Sequence, residues 1–135
     1  MKHAAGLPAL SDGEWKVMNA VWAGAEEVSA REVHEALSDG PGWAYTTVKT
    51  LMDRLVEKSV LDVEVRKNVS WYRSRLPRDQ AITTATADLA RRAFGGDVAP
   101  LVHHLIQSRA LSAADRAELR RMLDAADGPA PRGRK

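Results

Sequence analysis

The sequence predicts a mostly α-helical fold with one small β-hairpin, and three observations carry that expectation. Apolar residues recur at helical spacing along most of the chain, beginning with Trp15, Met18 and Trp22. Leu61-Asp-Val-Glu-Val65 instead alternates with period two, and a second strand-like run ends at Leu76 before Pro77. Serine caps and Gly/Pro breaks separate these patterns where elements should begin and end. An apolar fraction of 44% over 135 residues is enough to build a core, which argues against wholesale disorder.

Taken in order, residues 1–9 read as a flexible arm. Ser11-Asp-Gly-Glu14 is a capping box that opens a helix over about 12–23, with Trp15, Met18, Val21 and Trp22 inward and Gly24 ending it. Ser29-Ala-Arg-Glu32 is a second capping box and opens a helix over about 30–37, with Val33 and Leu37 inward. Gly40-Pro41-Gly42 is a hard break. The third helix runs from Tyr45–Thr46 to about Lys58, and Val48, Leu51, Met52, Leu55 and Val56 form its apolar stripe. Strands follow at 61–65 and 70–76, joined through Arg66-Lys-Asn-Val69, where Asn68 tolerates positive φ. Three more helices are expected at about 77–92, 98–109 and 113–126, with Gly95–Gly96 breaking the first from the second. Pro100 is tolerated in the first turn of its helix, and Ser112 caps the last. Residues 127–135 read as a disordered basic tail. No internal repeat is visible.

Net charge is only +2, but its distribution is uneven. Residues 1–43 carry three Lys/Arg against seven Asp/Glu, whereas residues 44–75 carry seven against four. Positive charge therefore gathers on the third helix and the hairpin. The chain has no cysteine, which removes disulfides, thiolate metal sites and thiol switches, and suits a cytoplasmic location. No apolar run approaches the roughly 20 residues of a membrane span, and no signal-peptide core opens the chain.

The outer face of the third helix exceeds what a core helix needs. Thr46, Thr47, Lys49, Thr50 and Arg54 lie opposite the apolar stripe. Threonine is a middling helix former, so propensity does not explain three of them. Threonine hydroxyls reach phosphates or base edges, threonine methyls meet thymine methyls, and Lys and Arg reach guanine or phosphate. With Arg66 and Lys67 at the tip of the hairpin that follows, this is the pattern of a winged helix-turn-helix. The competing reading of the same module is a protein-interaction domain; an exposed apolar patch on this helix would have favoured it.

Catalytic and metal chemistry find no support. No G-x-S-x-G, phosphate loop, H-E-x-x-H or dinucleotide fingerprint is present, so no enzyme, cofactor or catalytic residue is expected. His103 and His104 are neighbours on a helix and point about 100° apart, so they cannot easily share one metal. Trp71 lies in the hairpin, either packing inward or lying along a sugar-phosphate backbone, and packing is the expectation.

The segments Leu10-Ser-Asp-Gly-Glu-Trp-Lys-Val-Met18, Val28-Ser-Ala-Arg-Glu-Val33 and Trp43-Ala-Tyr-Thr-Thr-Val-Lys-Thr-Leu-Met-Asp-Arg-Leu55 closely resemble the penicillinase-repressor family, the BlaI/MecI/CopY type. Phe94 to Leu105 extends the resemblance into that family's dimerisation region. The resemblance implies a winged helix over 10–76, dimerisation helices over 77–126, and a homodimeric repressor on inverted-repeat operator DNA. Thr46, Thr47, Lys49, Thr50 and Arg54 on the outer face of the third helix, with Arg66 and Lys67 at the wing tip, are the expected DNA-binding residues. Leu89, Phe94, Leu101, Leu105, Leu119 and Met122 are the expected dimerisation residues, because a winged helix of about 70 residues is too small to cover the apolar stripes they form. The penicillinase branch is relieved by a regulatory protease cutting before a phenylalanine that follows asparagine, and controls β-lactam resistance. Here the corresponding bond is Ala93–Phe94, without the asparagine. The copper-responsive branch uses C-terminal cysteines that this chain lacks. Ser59 stands where the family usually places a helix-ending glycine.

Overall fold

A computed structural model of the chain describes residues 9–108 and 111–127. The elements run α1 (Asp12–Ala23), β1 (Val28–Ser29), α2 (Ala30–Ala36), α3 (Tyr45–Glu57), β2 (Leu61–Arg66), β3 (Val69–Ser74), α4 (Arg78–Phe94), α5 (Val98–Gln107) and α6 (Ala113–Asp127). The chain divides into two compact units, one up to residue 86 and one from residue 87. The expected arm 1–9 and tail 127–135 lie outside the described residues, save for Ala9 and for Asp127, which closes α6.

Both capping boxes form as the sequence implies. Ser11 and Glu14 exchange hydrogen bonds at the start of α1, and Ser29 and Glu32 do so at the start of α2. The core of the first unit joins Val17, Met18 and Val21 of α1, Val33 of α2, Val48, Met52 and Leu55 of α3, and Val60, Leu61, Tyr72 and Leu76 around the sheet. Glu14, Val17, Met18 and Val21 are the buried stripe of α1. Trp15 and Trp22 were expected inward, but they stand half-buried at the rim, edge to face with centroids 6.0 Å apart. The reason is angular: residues 14, 17, 18 and 21 share one face at about 100° per residue, and the indoles flank it. Trp22 still ties distant parts together, since its Nε1 donates to the Leu76 carbonyl at 3.0 Å and to Ser74 Oγ at 3.2 Å.

The sheet has three antiparallel strands in the order β1-β3-β2. Leu61 pairs with Ser74 and Arg66 with Val69, so the turn is the two residues Lys67 and Asn68. Both have positive φ, +53° and +67°, as a tight primed hairpin turn requires. The turn is thus tighter than the expected 66–69, and Lys67 shares the positive φ expected of Asn68. The two-residue β1 was not expected. Alternation along β3 puts Tyr72 wholly in the core and Trp71 on the opposite face. Trp71 therefore does not pack inward as expected; it is half-buried on the outer face, with the Arg66 guanidinium 5.5 Å from its ring centroid.

α3 ends in a Schellman motif. The Val60 amide donates to the Leu55 carbonyl and the Ser59 amide to that of Val56, with Ser59 at φ +66°. The position is left-handed, where glycine carries no Cβ penalty and serine is a strained occupant. The first unit continues into α4, where Ala81 joins its core.

In the second unit Ala90 of α4 is buried, but neither α5 nor α6 contains a buried residue. Leu89, Val98, Val102, Leu105, Ile106, Met122 and Leu123 are exposed, and Phe94, Leu101 and Leu119 half-buried. Gly95 and Gly96 both take positive φ and turn the chain between α4 and α5.

Candidate nucleic-acid interface

The interface is built on α3. Its apolar stripe is fixed by the core, with Val48, Met52 and Leu55 fully buried. That fixes the opposite face outward, and Thr46, Thr47, Thr50 and Arg54 are all exposed there. The start of α3 is held by neighbours: His34 Nε2 lies 3.0 Å from the Trp43 carbonyl, and the rings of His34 and Tyr45 meet edge to face. Gly13 of α1 lies against the side chains of Trp43 and Leu51, so that a Cβ there would meet each at 3.5 Å, an ordinary van der Waals contact. Unlike α1 and α2, α3 has alanine at its N-cap and no side-chain cap. Its first turn holds no acid, so no carboxylate within that turn competes for the uncapped amides.

The cations divide into two kinds. Arg54 and Lys67 are exposed and make no ion pair among the described residues. Lys49 is half-buried and donates to both oxygens of Asp53, at 3.2 and 2.9 Å. Asp53 Oδ1 also accepts a 2.9 Å hydrogen bond from the buried Tyr72 hydroxyl. The hydrogen bond to Asp53 raises the Lys49 pKa, so the ammonium stays charged; burial raises that of Tyr72, so the phenol stays neutral.

The wing shows the same division. Arg66 is the last residue of β2 and donates to Glu27 at 2.9 Å and to Glu64 at 3.0 Å. Arg73 of β3 reaches the same Glu27 at 2.8 Å. Hydrogen bonds from Arg66 and Arg73 hold the Glu27 carboxyl below its ordinary pKa. Glu27 lies in the loop before β1, so it staples the wing to the body of the unit. The α3 candidates thus share one helix face and Lys67 stands at the wing tip, while Lys49 and Arg66 already hold carboxylates. Asp53, Tyr72 and Glu27 hold the site's cations and lie outside the residues expected from the sequence. The spacing of Lys49 and Asp53 signals their pairing, whereas nothing local signals Glu27 with Arg66.

The arrangement offers hydroxyls, methyls and the Arg54 guanidinium on the exposed face of a helix, with the Lys67 ammonium at the neighbouring wing tip. Among the described residues no group of three or more His, Cys, Asp or Glu is placed to hold a metal.

A family model described as penicillinase repressor matches residues 10–125. The chain belongs to that family. It is a family of DNA-binding transcriptional repressors rather than enzymes. The chain is 28% identical over 115 residues to the penicillinase repressor of Staphylococcus aureus, spanning 85% of this chain and 90% of that one. It is 35% identical over 100 residues to the transcriptional regulator BlaI of Mycobacterium tuberculosis, spanning 72% of each. Among solved structures it is similar to the DNA binding domain of the repressor BlaI, with 27% identity and a TM-score of 0.49, covering 55% of this chain and 89% of that one.

The remaining candidates lie in the second unit. Phe94 closes α4 with its ring 6.4 Å from that of His104, and the exposed Ala93 precedes it within the helix. No described helix is long and apolar enough to cross a membrane.

Proposed function

We propose that the protein is a homodimeric repressor that reads an inverted-repeat operator through α3 in the cytoplasm. The observation that carries this is the two-sided character of α3: its stripe is buried, and an exposed Thr46, Thr47, Thr50 and Arg54 face lies opposite. The wing adds a phosphate contact through Lys67 and a weaker one through Arg66, which Glu27 and Glu64 already hold, while Lys49 can exchange its carboxylate for a phosphate in a fitted complex. Dimerisation is supported by the uncovered apolar faces of the second unit, where Leu105 and Met122 are exposed and Phe94, Leu101 and Leu119 half-buried. A symmetric partner would cover both copies of Leu89, Phe94, Leu101, Leu105, Leu119 and Met122, and place two recognition helices a whole number of DNA turns apart.

Family membership supports β-lactam-resistance genes as the targets, with release by a regulatory protease at Ala93–Phe94. The positive-φ glycines just beyond that bond mark where helical order ends. A cut there separates the DNA-reading unit from α5 and α6, so each half-site is bound singly and the linked second contact is lost.

Duplexes selected by the protein from a random pool test the reading. They should carry an inverted repeat, and binding should fall steeply with salt. Sedimentation should give a dimer at micromolar concentration. Selected duplexes without dyad symmetry, bound by a monomer, would reject the account. Exposure of cells to a β-lactam should yield a fragment ending near Ala93; derepression with the chain intact would reject proteolytic release.

A further inference from the structure

We propose that Asp53 is a specificity-determining residue of the DNA interface, acting through Lys49. It holds the ammonium at the root of the wing and withholds that charge from duplexes α3 does not otherwise fit. The inference rests on the reading of α3 as the DNA-reading helix. Lys49 Nζ donates to both carboxylate oxygens of Asp53 and lies 5.9 Å from the Tyr72 ring centroid. An isolated pair at this spacing on a helix is weak and exchanges readily. Here the carboxylate is not free to swing away, because the Tyr72 hydroxyl donates to Oδ1 at 2.9 Å and Tyr72 is wholly buried. The carboxylate is therefore a fixed counter-ion, and only Lys49 can leave.

The physical consequence follows from where affinity comes from. Binding to arbitrary DNA rests on cations that displace counter-ions from phosphates, whereas discrimination rests on contacts to base edges. A lysine already neutralised within the protein adds little to the first. In a fitted complex a phosphate or base acceptor brought close to Lys49 can replace Asp53, so the second keeps the contact. Asp53 thus lowers binding to the wrong duplex more than to the right one. The uncharged Thr46, Thr47 and Thr50 and the unpaired Arg54 are left as the readers.

The test uses the full-length protein, a short duplex selected by the parent from a random pool, and a scrambled duplex of the same composition. Asp53→Asn keeps an acceptor for Tyr72 and removes the charge. It should bind the scrambled duplex about three- to tenfold more tightly at low salt, with a salt slope steeper by about 0.9, the value for one added phosphate contact. The preference for the selected duplex should shrink. Asp53→Ser, also neutral, should do the same, so a folding fault in one variant does not decide the matter. In a Lys49→Met background neither substitution should change binding to the scrambled duplex. An unchanged salt slope in both variants would overturn the proposal. So would an equal gain in the Lys49→Met background, which would make Asp53 a general repellent of phosphate. A parent protein that binds both duplexes alike would defeat the reading of α3 itself, and this inference with it.

Discussion

Replacing Glu14 by glutamine should destabilise the protein at neutral pH and leave it almost unaffected in acid. Glu14 is only 3% exposed, yet it carries a charge. Its Oε1 accepts from the Ser11 amide at 2.9 Å, closing the capping box, and from Lys58 Nζ at 2.6 Å. Lys58 is the C-cap of α3, so this one carboxylate fastens the start of α1 to the end of the DNA-reading helix. Burial works to raise its pKa, but the hydrogen bonds and charge from Lys58 and Ser11 together outweigh it, and the net shift is downward. Glutamine keeps an oxygen for the Ser11 amide and loses the charge opposite Lys58. Lys58 is 35% exposed and can rehydrate, so the loss should be about 1–2 kcal/mol, near the low end for a charged hydrogen bond. At about 4–8 °C per kcal/mol for a domain of this size, thermal melting will resolve it at fixed protein concentration. The sign with pH follows from linkage. A carboxylate whose folded pKa is lowered stabilises the fold fully above its unfolded value, and the contribution disappears as pH falls through the folded one. The gap between parent and variant should therefore be full at neutral pH and close below the ordinary glutamate range. A gap that persists undiminished in acid, or no gap at neutral pH, would refute the reasoning.

Ser59→Gly should stabilise the protein by about 1 kcal/mol, because serine sits at φ +66° where glycine carries no Cβ penalty; denaturant unfolding measures it. At the wing tip, Lys67→Gln should lower the salt slope of DNA binding by about 0.9 for one lost phosphate contact, while Arg66→Gln should lower it less, since Glu27 and Glu64 already hold Arg66. An equal effect of the two would mean that the Glu27 pairing is given up on DNA.

Much of this fold is legible in the chain because its signals are local. The capping serines, the stripe from Val48 to Leu55 and the alternation from Leu61 fix the helices and the hairpin within a few residues. The left-handed backbone at Ser59 has no local signal, since serine marks no C-cap; only the family resemblance pointed to that position. What escaped was non-local or doubly coded. Ser29 reads as an N-cap and is one, but it also pairs with Trp71 as part of β1. Two residues give no periodicity, and the strand exists because β3 offers it an edge. Trp71 and Tyr72 are both aromatic, so composition could not say which faces the core; register decides it. At the site, the outer face of α3 is visible from spacing, whereas the Lys49–Asp53 pair, although four residues apart on the same helix, is fixed only by the Tyr72 hydroxyl that the fold brings to Asp53. The hold of Glu27 on Arg66 spans 39 residues and appears only once the wing is folded onto the loop before β1. The uncovered faces of α5 and α6 follow from apolar stripes that one chain leaves without a partner.

The central claim is that α3 reads DNA sequence, and Thr47 and Thr50 test it most directly. Thr47→Ala and Thr50→Ala should be compared with the parent on the selected and the scrambled duplex at one salt concentration. Each should lose discrimination, by roughly 1–3 kcal/mol where the threonine makes a good base contact, with binding to the scrambled duplex nearly unchanged. If both variants bind both duplexes as the parent does, α3 is not the reader.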